Sequence, residues 1–522
     1  MATLLPPPAL ASAAVVFFGP HGAVSQFAAR RGVGRQTLYR EADAAVRALD
    51  PCPHREQLAR LRQQVADLET QAAALQRRLA AAVVVDEDKQ AEFAATAQAI
   101  GVSLGAAHAL LRVLLGVRAP SRATLGRFSR AAARRAGALL AVLDRHSRGR
   151  ARQVAADEIF SGRQPVRMTV DQESLCWLGG RLADNRQGET WAAELRGLTA
   201  AEQVTADGGN GLRQGVALVN AERRQAGLAP VRDQRDHFHI LHRARRGRRG
   251  ARYRAAQALK RAEQAQAAFD RDGRAGVPRS AMQGRLLHQA WAKAEQAFDR
   301  WTAQEAADRR LQSALELVTP EGALNTRARA EAEVRAALAD QTGDDWQRAR
   351  RLLTAEAYTF LDRVQEQFAA LPVAAALRQA AVDVEALRRR PEARRGETPP
   401  AAAARGVLLV ATVTLALAGE AGARALALVR GVLDAAWRSS SLVEGVNGVV
   451  RMHQRRQKRL TQELLDLQRL HWNLHEFRAG KRRRSTPYGR LGLILPAGGW
   501  WALLQRTPEQ LEEELSALTP PT

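Results

Sequence analysis

The sequence predicts a multidomain, mainly α-helical protein with one α/β domain. Three observations carry this. A chain of 522 residues exceeds one ordinary domain and gives a soft prior of about three or four. Long stretches rich in Ala, Arg and Glu repeat apolar residues at helical spacing. One stretch, 153–239, changes instead to short apolar runs of strand length, broken by turn residues. With 46% apolar and only 5% aromatic residues, the core must be built mostly of Ala, Leu and Val.

Charge narrows the class. The chain carries 79 Lys and Arg against 54 Asp and Glu, a formal charge of +25. Such excess attracts polyanions, nucleic acid above all. A GC-rich coding bias would explain Arg in place of Lys, but not the excess of base over acid. Two cysteines, Cys52 and Cys176, cannot make a disulfide framework or a cysteine zinc site. The longest apolar run, Val407 to Ala418, is too short to span a bilayer. The apolar N-terminal stretch has no basic residue before it and makes a poor secretion signal. A cytoplasmic protein acting on DNA is expected.

In residues 1–54, a short helix with Phe27 and Ala28 inward should end near Gly32. Val33 should plug the turn, and a second helix from Arg35 should bury Leu38. That is a helix-turn-helix layout, with Arg35, Gln36 and Tyr39 placed to face DNA. The bland alternative is an ordinary helical hairpin. Over 55–88, Leu58, Leu61, Val65, Leu68, Ala72, Leu75, Leu79 and Ala82 step by three and four, a strict heptad that predicts a coiled coil and dimerisation. A long helix packed on its own domain is the competing reading. Over 89–150, a second helix-turn-helix pattern has Gly101, Val102 and Ser103 at its turn. Ser121 then caps a helix with Leu125, Phe128, Ala132 and Ala136 on one face, and Arg118, Arg122, Arg127 and Arg130 add charge.

Residues 151–240 predict three strands, a helix, a fourth strand, a helix and a fifth strand. Asp157 lies in the first strand, Asp207 ends the fourth, and the fifth is expected over 231–239, with His237 and His239 on one face. Residues 241–437 predict a large helical insertion, densely basic at its start, with Trp291, Trp301 and Trp346 as core anchors. In 438–522, SerSerSerLeuValGlu444GlyValAsnGlyValValArg opens a helix. Ser441 and Glu444 have capping-box spacing. Yet Asn447 and Arg451 share the face of Glu444, while Leu442, Val446 and Val449 take the buried side. Basic Arg455, Arg456 and Lys458 follow, positioned to hold DNA phosphates. Three carboxylates on separate elements can converge on divalent cations.

Asp157GluIlePhe, Asp207GlyGly before a helix, Asp236HisPheHis and the box around Glu444 together resemble a bacterial insertion-sequence transposase of the DDE group. The likeness covers about 153–240 and 438–490. It implies a ribonuclease-H-like mixed-sheet core split by the insertion, with Asp157, Asp207 and Glu444 as catalytic metal ligands. It also implies two Mg²⁺ ions (or Mn²⁺), double-stranded DNA as partner, a homodimer or larger assembly, and action at the bacterial nucleoid. Asp171 rivals Asp157 as first acid, because it also ends a strand, but strand order favours Asp157. Two other functions remain open: a non-catalytic helix-turn-helix regulator and a domesticated nuclease of the same fold. The role of His237 and His239 is left as support near the site.

Overall fold

A computed structural model describes residues 7–49, 52–81, 85–275, 278, 280–389, 402–456 and 460–518. The chain divides into two compact units, one up to Asp86 and one from Glu87. It is mainly helical with one mixed five-stranded sheet, and among the described residues no helix is long and apolar enough to cross a membrane.

In the first unit, α1 (Pro7–Phe18) packs on α3 (Arg35–Leu49), and α2 (Ala23–Arg31) lies between them in sequence. Gly32 ends α2 at φ 66°, a left-handed position that favours glycine. Ala28 and Leu38 are buried, as their spacing predicts. Sequence reading missed α1. It is fixed by a polar contact as well as by apolar packing: buried Ser12 donates to Glu41 (2.5 Å), and Arg31 donates to both Ser12 (2.8 Å) and Glu41 (2.6 Å). The heptad stretch is one helix, α4 (Cys52–Ala81). Its seam is open: Leu58, Leu61, Val65, Leu68 and Leu75 are 50% to 63% exposed. The packed-helix alternative therefore fails for these positions. Leu79 and Ala82 fall outside the described side chains.

The second unit begins with α5 (Glu87–Ala99), α6 (Leu104–Leu115) and α7 (Arg122–Ser147), and Ser103 and Ser121 cap α6 and α7. The sheet follows, with β1 (Gln153–Ser161), β2 (Gln164–Asp171), β3 (Trp177–Leu182), β4 (Gln203–Ala206) and β5 (Arg232–Arg235). Helices α8 (Gly188–Arg196) and α9 (Asn210–Gln225) connect β3 to β4 and β4 to β5. The order across the sheet is β3-β2-β1-β4-β5, antiparallel among the first three and parallel for β1-β4 and β4-β5.

Strand alternation divides β1 between two cores. Val154 and Ala156 join α7, α8 and α9 on one face. Ala155 and Ile159 face Val443, Val446 and Val450 on the other. Asp157 sits between Ala155 and Ile159 in that alternation and takes the second face. Tight contacts fix α9 against the preceding segment. A Cβ at Gly211 would overlap the Arg186 carbonyl, and one at Gly215 would stand 2.6 Å from Cβ of Trp191.

The insertion begins with α10 (His237–Arg274) and continues through α11 (Ala281–Ala314), α12 (Arg327–Leu338), α13 (Asp344–Leu352), α14 (Thr359–Ala369), α15 (Ala375–Arg389), α16 (Ala402–Leu417) and α17 (Gly419–Asp434). Only one of its three expected tryptophan anchors is buried. Trp346 is 1% exposed, whereas Trp291 is 40% exposed and Trp301 packs edge-to-face with Phe298. The chain then returns to the sheet through α18 (Ser441–Arg456) and α19 (Gln462–Leu474). Buried Arg469 of α19 pairs with Asp144 of α7 and donates to the Trp177 carbonyl at 2.8 Å. Asn473 brackets the same residue, accepting from Trp177 N (2.7 Å) and donating to its carbonyl (3.0 Å). A buried pair with this many extra bonds specifies one docking geometry, and removing either partner would strand a charge.

Candidate functional site

Sheet register builds the site. Ala155 lies beside Thr205, and Thr205 beside Gln234. Two residues further along each strand come Asp157, Asp207 and Asp236, in a row where β4 and β5 have ended. The Asp236 amide continues the ladder to the Ala206 carbonyl (2.7 Å). In sheets of this kind, ligands gather at the carboxyl ends of parallel strands.

Asp157 is largely removed from water, and burial pushes its carboxyl up to about 6. The charge of Asp207 adds to that rise, while a hydrogen bond from Asn447 opposes it. Asp207 bends the chain: its Oδ1 accepts from Gly209 N at 2.9 Å, and Gly208 holds φ +85°. A side chain at Gly208 would be strained and would run into the Arg235 guanidinium. A cavity of about 300 Å³ opens here, lined by Asp157, Glu158, Arg186, Trp191, Asp207 and the first residues of α9. Arg186 pairs with Glu158 (2.8 Å) and lies over the Phe160 ring at 5.2 Å.

Helix α18 covers the open face. Its buried residues include Val443, Val446, Asn447, Val450 and His453, whereas Leu442 and Val449 are only half-buried. The expected stripe was therefore turned by one residue. Asn447 was expected to contact DNA. It is fully buried instead, and its Nδ2 donates to Asp157 Oδ2 at 2.7 Å. Its Oδ1 is buried with no hydrogen-bond partner among the described residues.

Glu444 lies one turn earlier on the same helix. The capping box does not form, because Ser441 is already helical and its N–H goes to Ser439 Oγ (3.1 Å). Glu444 pairs with Arg451 at 2.5 Å, with side chains 36% and 49% exposed. The structure thus brings Asp157 and Asp207 together at one cavity, which Glu444 does not line; Glu444 stands in an ion pair of its own with Arg451. Among the described residues, no group of three or more His, Cys, Asp or Glu is gathered closely enough to hold a metal ion.

The other site residues fall as follows. Asp171 lies opposite Val154, at the start of β1, and its carboxylate accepts from Ser174 N (2.8 Å) and Oγ (2.6 Å) in the β2–β3 turn. Arg35, Gln36 and Tyr39 are exposed at the start of α3, and Arg455 is exposed on α18. The side chain of Arg456 and the whole of Lys458 lie outside the described residues. The outward face of α6 is apolar, with Leu110, Val113 and Leu114 exposed, so it offers little polar side chain for reading bases.

His237 and His239 are not on a strand. Asp236 ends the β5 segment by capping α10, accepting from Phe238 N at 2.8 Å, so the two histidines occupy the first turn of a helix and diverge. His237 turns into the insertion. Its Nε2 meets the Ala357 carbonyl at 2.7 Å, and burial lowers its pKa to about 4, keeping it neutral. His239 turns onto Asp236. Its Nδ1 donates to Asp236 Oδ2 at 2.6 Å, a bond that raises its pKa, as do the charges of Asp207 and Asp157. Sequence reading also missed Ser440, whose Oγ donates to Asp236 Oδ2 at 2.6 Å. The Ser run 439–441 was a signal, but nothing local pointed to a partner some two hundred residues away.

The chain matches no protein-family profile, no curated protein and no solved structure.

Proposed function

We propose that the chain is a metal-dependent DNA transposase of the DDE type, with a ribonuclease-H-like core and Asp157, Asp207 and Glu444 as its acidic triad. The observation that carries this is the paired placement of Asp157 and Asp207 by strand register, under the helix that also bears Glu444. The sheet order with an antiparallel β2 and parallel β4 and β5 supports the same reading.

The residues fit a divalent cation. A desolvated carboxylate beside a second one is unfavourable when both are charged, and a cation relieves that repulsion. The donors are all oxygen, which suits Mg²⁺ or Mn²⁺. Asp157 and Asp207 would hold it, with Glu444 as the third ligand once released from Arg451. When bound, the metal supplies charge stabilisation to the attacking and leaving oxygens of an in-line displacement at phosphorus. Asn447 fixes the orientation of Asp157. Arg451, freed from Glu444, is placed to take a DNA phosphate. In the first unit, Arg35, Gln36 and Tyr39 at the start of α3 are suited to contact DNA. The open seam of α4 is suited to pair two chains.

The test uses the full chain with Mg²⁺ or Mn²⁺ and a supercoiled plasmid carrying the DNA that flanks this gene on both sides. Metal-dependent cutting and joining of the freed 3′-hydroxyl to target DNA are expected. Asp157→Ala and Asp207→Ala should lose both while still binding DNA. Binding without cutting by the native chain would favour a regulator, and cutting without joining a nuclease.

A further inference from the structure

We propose that His239 contacts the substrate directly: its Nε2 hydrogen-bonds a non-bridging oxygen of the phosphodiester held at Asp157 and Asp207. Asp236 and Ser440 are positioning residues that hold the ring. This rests on the DNA-cutting reading above.

The geometry begins with the row of acids set by register. Asp157 and Asp207 face the cavity, but Asp236 does not. It is 0% exposed, and its carboxylate takes four hydrogen bonds, from Phe238 N (2.8 Å), Ser440 N (3.1 Å), Ser440 Oγ (2.6 Å) and His239 Nδ1 (2.6 Å). A buried carboxylate satisfied this fully stays ionised, and its pKa is lowered despite burial. It is therefore a fixed anion, tying the end of β5 to the approach of α18.

Three of those bonds close the backbone and Ser440. The fourth sets the His239 ring: Nδ1 carries a proton aimed at Asp236, and in the imidazolium, which this bond to a carboxylate favours, Nε2 carries a second proton and can donate to a phosphate oxygen. Among the described residues Nε2 has no hydrogen-bond partner, and the side chain is 31% exposed. The ring lies within electrostatic reach of both Asp157 and Asp207. A carboxylate behind one ring nitrogen with the other left open is how proteins present an oriented imidazole to a reacting group. The neighbouring His237 differs in access: it is 3% exposed, its Nε2 meets the Ala357 carbonyl, and its Nδ1 is enclosed without a partner among the described residues. No ligand can reach that ring, whereas the open nitrogen of His239 sits on a partly exposed side chain held by a four-bonded buried carboxylate.

The test compares native chain, His239→Ala and His239→Gln on the same metal-dependent cutting reaction, with Asp157→Ala as the reference for the reading itself. His239→Ala should lower kcat by about 10²-fold with KM for DNA little changed, as expected when a donor to a charged phosphate is removed. His239→Gln, which keeps an N–H, should recover part of that loss. A neutral methylphosphonate at the bond the native chain cuts should slow the native chain more than His239→Ala, because the variant has already lost the contact. Equal sensitivity of the two to methylphosphonate overturns the proposal. Should the native chain cut no DNA, the reading fails, but the contact is still judged. In full-length chain labelled with ¹⁵N-histidine and titrated with short DNA duplex and Ca²⁺, the His239 Nε2 resonance must move, and an unmoved resonance overturns the proposal.

Discussion

The Asp157–Asp207 pair and the exposed helical faces of the chain are built on opposite principles. The pair is fixed from within: register sets its spacing, glycines at 208, 211 and 215 set the turn and the packing behind it, and Asn447 clamps one carboxylate. Glu444 and the seam of α4 are fixed by little in the chain itself. Glu444 is held by one half-exposed ion pair, and the leucines of α4 stand in solvent. Buried parts finish themselves on folding, whereas these exposed parts are left open; under the proposed function, DNA and metal would complete Glu444 and a second copy would complete α4.

Activity should separate the regions least, because under the proposed function all three acids serve one reaction. Asp157→Asn, Asp207→Asn and Glu444→Gln should each reduce metal-dependent cutting by about 10³-fold or more. Measured with DNA binding intact, an active Glu444→Gln variant would remove Glu444 from the triad and leave the pair standing.

The next effect falls on α4. Replacing Leu61 and Leu68 together by Glu places like charges at the heptad seam and should abolish self-association, since each leucine contributes about 1.5–3 kcal/mol when buried. Sedimentation velocity measures this. An unchanged sedimentation coefficient would mean that the seam pairs with something other than a second copy. Neither substitution should change the fold of the Asp157 site, which belongs to the other compact unit.

What the sequence made legible follows the same division. Strand order, the two aspartates and the helix carrying Glu444 could be read because period-two apolar runs and Asp-Gly turns are local signals. The AspHisPheHis segment misled because alternation over four residues also fits the first turn of a capped helix. The Asp236 side-chain bond to Phe238 N and the helical backbone bond from Ile240 N to the Asp236 carbonyl distinguish the two. The stripe on α18 was read one residue out of phase, since valines at 443, 446, 449 and 450 leave two possible faces, and packing on β1 and β2 chooses between them. Asn447 was assigned to DNA because an amide on a polar stripe says nothing about what covers it.

Stability against pH gives a sharper contrast of about 2–3 kcal/mol. Asp157 has a folded pKa near 6, above its unfolded value of about 3.9. The sign follows: the folded state prefers the protonated carboxyl, so the stabilisation is complete below about pH 4 and is lost as pH rises through 6. Asp157→Asn should therefore be more stable than the native chain at pH 7 without added metal, by up to about 2–3 kcal/mol, and close to it at pH 4. Thermal melts at the two pH values measure this. Equal differences at both would mean that the carboxylate is not desolvated.

The smallest effect is expected at Arg451. An ion pair between two half-exposed side chains contributes about 0–1 kcal/mol and is screened by salt. Arg451→Ala should accordingly leave the melting temperature almost unchanged, where a buried partner such as Asn447→Ala should lower it visibly by leaving the Asp157 carboxylate without its amide. If Arg451 passes from Glu444 to a DNA phosphate, the same variant should still weaken DNA binding and reduce its salt dependence by about one counterion. A large fall in melting temperature would show that Arg451 holds the fold, and the contrast between an inner site that builds itself and an outer one that waits for its partner would not extend to this pair.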